Sequence, residues 1–110
     1  MESYKIIITP DAEADLIELR NYISDVLLAR DTARGCIRAI GKEIASLSEM
    51  PARYRAVDDE PWHSLGIRKV FANNFYVYYR FYESAIRVSV LNVIYAKRDQ
   101  LRALEHMKID

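Results

Sequence analysis

The sequence predicts one α+β domain over residues 1–110: a first strand, an α-helical hairpin, a three-stranded antiparallel meander that forms one sheet with the first strand, and a short C-terminal helix. Three patterns carry this prediction. Apolar residues recur at three- and four-residue spacing through the first half, at alternate positions through 75–82, and at nearly every position through 85–95. The first is the period of an amphipathic helix and the second that of a strand with one buried face. The third fits a central strand covered on both sides.

Residues 3–9 (SYKIIIT) form a β-branched run closed by Pro10, as in a strand that ends at a helix start. Thr9 is the expected N-cap and Pro10 the first helical residue, with no N–H to leave unpaired. Asp11 and Glu13 complement the positive end of the helix dipole. Ala12, Leu16, Leu19, Ile23, Val26 and Leu27 then make one apolar stripe over about five turns. Asp31 is the expected N-cap of a second helix, with its stripe at Ala33, Ile37, Ile40, Ile44 and Leu47. A short turn between two such helices makes an antiparallel hairpin. Gly35 and Gly41 each lower helix propensity by about 1 kcal/mol against Ala, and close backbone approach is the expected compensation.

Met50-Pro51 ends that helix. Residues 51–65 (PARYRAVDDEPWHSL) carry neither period and predict an irregular connection packed down by Tyr54 and Trp62. The meander follows as strand 66–71, an Asn73-Asn74 turn, strand 75–82, a turn near Glu83-Ser84, and strand 85–95. Alternation sends Phe75, Val77, Tyr79 and Phe81 to one side and Tyr76, Tyr78, Arg80 and Tyr82 to the other. Asp99 is the expected cap of a final helix carrying Leu101, Leu104 and Met107. With the hairpin on one face, the opposite face, with Tyr76, Tyr78, Arg80, Tyr82 and Arg87, is expected to be partly open and to carry function.

Sixteen Lys and Arg balance sixteen Asp and Glu, so the chain has no overall charge with which to bind nucleic acid unspecifically. The one cysteine, Cys36, has no Cys or His at ligand spacing, which argues against a disulfide framework or a metal site, and no cofactor is expected. No signal peptide or membrane span is expected either, and the default location is the cytoplasm. His63 reads as a loop residue and His106 as a complement to a helix C-terminus.

The run GIRKVFANNFYVYYRFYESAIRVSVLNVIYAKRDQL resembles the C-terminal half of the RelE/ParE toxin superfamily of bacterial type II toxin–antitoxin modules. The matching features are Ile67-Arg68, Tyr79-Arg80, the apolar stretch 88–94, and Arg98-Asp99; YKIIITPDAEADLIELRNYI resembles the family's opening strand and helix. The resemblance, closest to the ParE-like branch, implies a plasmid-stabilising toxin that arrests growth by binding DNA gyrase or a related target, and a cognate antitoxin that neutralises it. Arg68, Arg80 and Arg98 are the implied target contacts. An apolar groove between the helical hairpin and the sheet edge is the expected antitoxin seat.

The RelE-like branch implies instead a ribosome-dependent mRNA endoribonuclease. Metal-free cleavage needs a general base, a general acid and cations around one phosphate, for which Arg80, Tyr95 and Arg98 are the candidates. Tyr76 stands where that branch carries an arginine, and Tyr95 where some of its members carry a histidine. A non-toxic interaction module that pairs with an antitoxin or with itself, including as a homodimer, is the third reading. Arg68 and Arg80 also fit a plainly structural role, tied to the acidic run at Asp58, Asp59 and Glu60.

Overall fold

The computed structural model of the protein describes residues 3–26 and 28–109. Thr9 separates β1 (Lys5–Ile8) from α1 (Pro10–Asn21) as the sequence predicts: its Oγ1 accepts from the Ala12 N–H at 3.3 Å, and Pro10 opens the helix. The same hydroxyl donates to the Val90 carbonyl at 2.8 Å, so the helix start is tied to a strand late in the chain.

α1 passes into a π-helical turn, Tyr22–Val26. The wider turn shifts the phase of the apolar stripe. Ala12 and Leu19 are buried and Leu16 and Ile23 half-buried, whereas Val26 is 64% exposed. Leu27, the last residue of the predicted stripe, lies outside the described residues.

α2 (Arg30–Ser46) begins earlier than predicted, with Ala29 at the N-cap position and no side-chain cap. Asp31 therefore lies inside the first turn, where it complements the dipole and stands 3.8 Å from Arg34. The α2 stripe is buried at Ala33, Ile40 and Ile44, with Cys36 beside it and Leu47 just beyond. Gly35 and Gly41 depart from expectation. Both are exposed, and a Cβ at either would meet nothing within 4 Å, so no close approach offsets their cost.

β2 (Arg68–Ala72), β3 (Phe75–Tyr82) and β4 (Arg87–Tyr95) form the meander. The strand order is β1-β4-β3-β2, with β1 parallel to β4 and the other pairs antiparallel. Asn73 and Asn74, at φ 49° and 72°, supply the two left-handed residues that a tight hairpin turn requires. The register jumps from Tyr78↔Asn92 to Tyr79↔Val90, leaving Leu91 as the extra residue of a β-bulge. The bulge resets the alternation. Val88, Val90 and Val93 join the helix-side core, and Leu91 and Ile94 join a second core on the other face.

The second core covers the middle of the face expected to be partly open and buries Tyr78, the one residue of that set that departs from the expectation. The connection before β2 starts with a 3-10 turn, Pro51–Arg53, and packs Tyr54 on the helix side. It then bridges to β2 through Ala56↔Arg68 and lays Val57 and Trp62 on the opposite face. α3 (Gln100–Glu105), capped by Asp99 as predicted, adds Leu104 there. Tyr78 is fully buried, its hydroxyl donating to Gln100 Oε1 at 2.8 Å. Leaving Leu91, Ile94 and Tyr78 in water would forfeit about 1.5–3 kcal/mol for each large side chain, which is why a strand apolar on both sides gathers two covers. On either side of Tyr78, Tyr76 at one end and Arg80, Tyr82 and Arg87 at the other stay half-exposed.

Candidate functional site

β1 pairs with β4 only as far as Val90, so the last turns of that strand edge need another partner. Asp15 on α1 supplies it. Its Oδ2 accepts from the Val93 N–H and from Asn92 Nδ2, both at 2.8 Å. Burial pushes the Asp15 carboxyl above its ordinary value; the hydrogen bonds from Val93 and Asn92 oppose this, while Glu18 and Asp11 add repulsion.

Anchored there, α1 leaves a groove of about 590 Å³ between the helical hairpin and the Asn73-Asn74 end of the sheet. Leu19, Tyr22 and Ile23 form one apolar wall, and Phe75 and Val93 form its floor. Cys36 lines it from α2. Tyr22 is 54% exposed, and the Tyr95 ring leans on Phe75 with 5.4 Å between centroids. Asp15 and Glu18 mark the helix side with negative charge, and Arg98 stands on the strand side. Such a cleft suits an amphipathic segment with apolar residues for the wall and charges of both signs for the rim.

The three arginines singled out from the sequence do not converge. Arg68 is a clasp: its Nη1 donates to the Tyr54 and Ala52 carbonyls, and its guanidinium lies 5.2 Å from the Phe81 ring centroid. It thereby fastens the connection to β2 through carbonyls, not through the acidic run, where Asp58 pairs with Arg55. Arg80 lies on the opposite face over the Tyr82 ring, at 5.0 Å. Arg98 is exposed just beyond the other end of β4. Arg80 lies five residue steps along β3 from Phe75, about 17 Å along the strand.

Tyr95 and Arg98 share the groove, and Arg80 is remote from both. The histidines lie elsewhere: His63 Nδ1 is bound to the Val57 carbonyl and His106 Nδ1 to that of Arg102. Among the described residues there is no His, Cys, Asp and Glu cluster able to hold a metal, and no helix long and apolar enough to cross a membrane. Sequence reasoning did not foresee the part played by Asp15. On α1 it looks like any solvated acid, and its partner lies 78 residues away.

Residues 6–100 match the family described as the ParE toxin of type II toxin–antitoxin system, parDE. The fold is similar to that of a chromosomal ParDE TA system from P. aeruginosa, with TM-score 0.70 and 17% identity over 86% of this chain and 98% of that one. It is also similar to the toxin–antitoxin complex RelBE2 from Mycobacterium tuberculosis, with TM-score 0.62 and 20% identity over 84% of this chain and 98% of that one. No curated protein matches the sequence.

Proposed function

Because the chain belongs to the ParE toxin family of type II toxin–antitoxin systems, we propose that it arrests growth by binding a DNA-linked target, DNA gyrase foremost, and that a cognate antitoxin neutralises it. The observation that supports binding over RNA cleavage is the separation of the cations. A phosphorane intermediate needs charge and proton transfer at one phosphate, yet Arg80 stands about 17 Å of strand from the end that bears Tyr95 and Arg98. Protein recognition has no such requirement. Arg80 and Arg98 are suited to serve as separate electrostatic contacts on an extended target surface, and Arg68 supports that surface through the connection it clasps.

The groove beside α1 is the proposed antitoxin seat, with an apolar antitoxin face against Leu19, Tyr22 and Phe75 and a basic residue near Asp15 and Glu18. The two structural neighbours are named as toxin–antitoxin assemblies, which favours such a partner.

Tightly controlled expression of the protein alone, with growth and a DNA-damage reporter followed together, tests this reading. Arrest with a rising reporter is the expected result. Arrest with a silent reporter and new mRNA 5′ ends in translated codons would overturn it in favour of the RelE-like nuclease. Undisturbed growth at full soluble expression would make the chain an interaction module.

A further inference from the structure

The end of the sheet remote from the groove carries a second cluster, and it has no part in the antitoxin seat. Arg80 on β3 pairs with Ser89 on β4, and Tyr82 pairs with Arg87 two residues away, so all four lie on one face. Two cations share one ring: the Arg80 guanidinium lies 5.0 Å and that of Arg87 4.5 Å from the Tyr82 centroid. Lys5 of β1 pairs with Arg87 and extends the positive row. Among the described residues none of these three cations forms an ion pair. Arg87 Nε is buried without an acceptor, and the Oγ of fully buried Ser89 has no partner either.

Like charges set side by side repel one another, and a buried donor without an acceptor keeps its desolvation cost. Both are relieved by the same ligand. We propose that Arg80, Arg87 and the Tyr82 ring form a binding site for a phosphate group. A carboxylate is usually satisfied by one guanidinium fork, whereas a tetrahedral dianion offers oxygens to two forks and balances both charges. The Tyr82 ring holds the two forks by cation–π contact, which limits the rotamer entropy lost on binding. The site's existence does not rest on the toxin reading, since every residue in it is defined by β3–β4 register.

The test is a titration of the intact protein with inorganic phosphate against sodium chloride at equal ionic strength, following the arginine Nε–Hε signals by NMR. The signals of Arg80 and Arg87 are expected to move saturably with phosphate and to stay unmoved by chloride. R80Q and R87Q are each expected to weaken binding about tenfold, while R102Q, an exposed arginine on α3, binds as the parent does. R87K, which keeps the charge and loses the fork, is expected to fall between. A 5′-phosphorylated trinucleotide and its unphosphorylated counterpart distinguish the source. Tighter binding of the phosphorylated form than of phosphate identifies a nucleic-acid end, and equal binding identifies a free phosphate. Chloride and phosphate producing the same shifts, or R80Q and R87Q binding phosphate as the parent does, would overturn the proposal.

Discussion

The Asp15 carboxylate on α1 accepts the Val93 N–H at 2.8 Å and so completes the edge of β4 that β1 is too short to pair. One side chain thus ends the sheet and sets the mouth of the groove.

Burial of that carboxyl, which the hydrogen bonds from Val93 and Asn92 only partly offset, gives the fold a pH dependence. The folded state holds the Asp15 proton more tightly than the unfolded chain, whose ordinary value is 3.8. The contribution to stability is therefore full below that value and declines as pH rises through the raised folded value. D15N keeps an oxygen for the Val93 N–H and removes the charge. It is expected to flatten the stability profile on the acid side and to cost little at pH 7. D15A leaves both donors unpaired and is expected to cost about 1–3 kcal/mol at every pH. Urea denaturation from pH 3.5 to 8 checks both.

Tyr78 and Tyr79 are both pushed up to about 12, chiefly by burial. The Tyr79 hydroxyl donates to the Pro51 carbonyl at 2.6 Å, which holds the start of the connection against the sheet. Since the folded state retains both protons, their contribution is complete below the ordinary value of 10.0 and is lost as pH rises from there through about 12. Ultraviolet titration is expected to show Tyr78 and Tyr79 ionising above the ordinary tyrosine value, together with unfolding. Y79F is expected to cost about 1–2 kcal/mol at neutral pH, because the Pro51 carbonyl loses its donor.

Gly35 and Gly41 sit inside α2 with open space around them. G35A and G41A are each expected to stabilise the protein by about 0.5–1 kcal/mol, additively, with a rise in Tm. A loss of stability in either variant would mean that the α2 surface packs against something in solution.

Tyr22 exposes much of its ring on the groove wall and has little to lose in the free protein. Y22E is expected to leave Tm and growth arrest unchanged while weakening antitoxin binding by about 10–100-fold, as loss of an aromatic anchor does. Calorimetric titration with the antitoxin measures it. Unchanged affinity would move the antitoxin seat elsewhere.

Arg68 and Arg98 should separate stability from targeting. R68A removes the clasp on Tyr54 and Ala52 and is expected to cost about 1–3 kcal/mol. R98A alters an exposed side chain and is expected to change stability by less than about 0.5 kcal/mol while reducing growth arrest at equal soluble expression. Denaturation curves and induced-growth assays on the same preparations compare the two.

The elements and their order were legible because each has a local cause. Thr9-Pro10 starts a helix through its own hydroxyl and ring, Asn73-Asn74 turns the chain because asparagine tolerates positive φ, and Asp99 caps the final helix. The even burial expected of the last strand was legible as well, since it follows from composition alone. What covers its second face was not. Val57, Trp62 and Leu104 come from segments without periodicity or of a single short helix, and only their meeting over Tyr78 and Leu91 makes them core. The site divided in the same way. Arginines and tyrosines are visible in the chain, but β4 register and the bulge at Leu91 decide which of them share a face, and the reach of Asp15 to Val93 decides where a groove opens. Local chemistry acts over one or two turns and is written in the sequence; pairing between distant segments depends on the sum of weak contacts across the whole fold, and only the tertiary structure decides it.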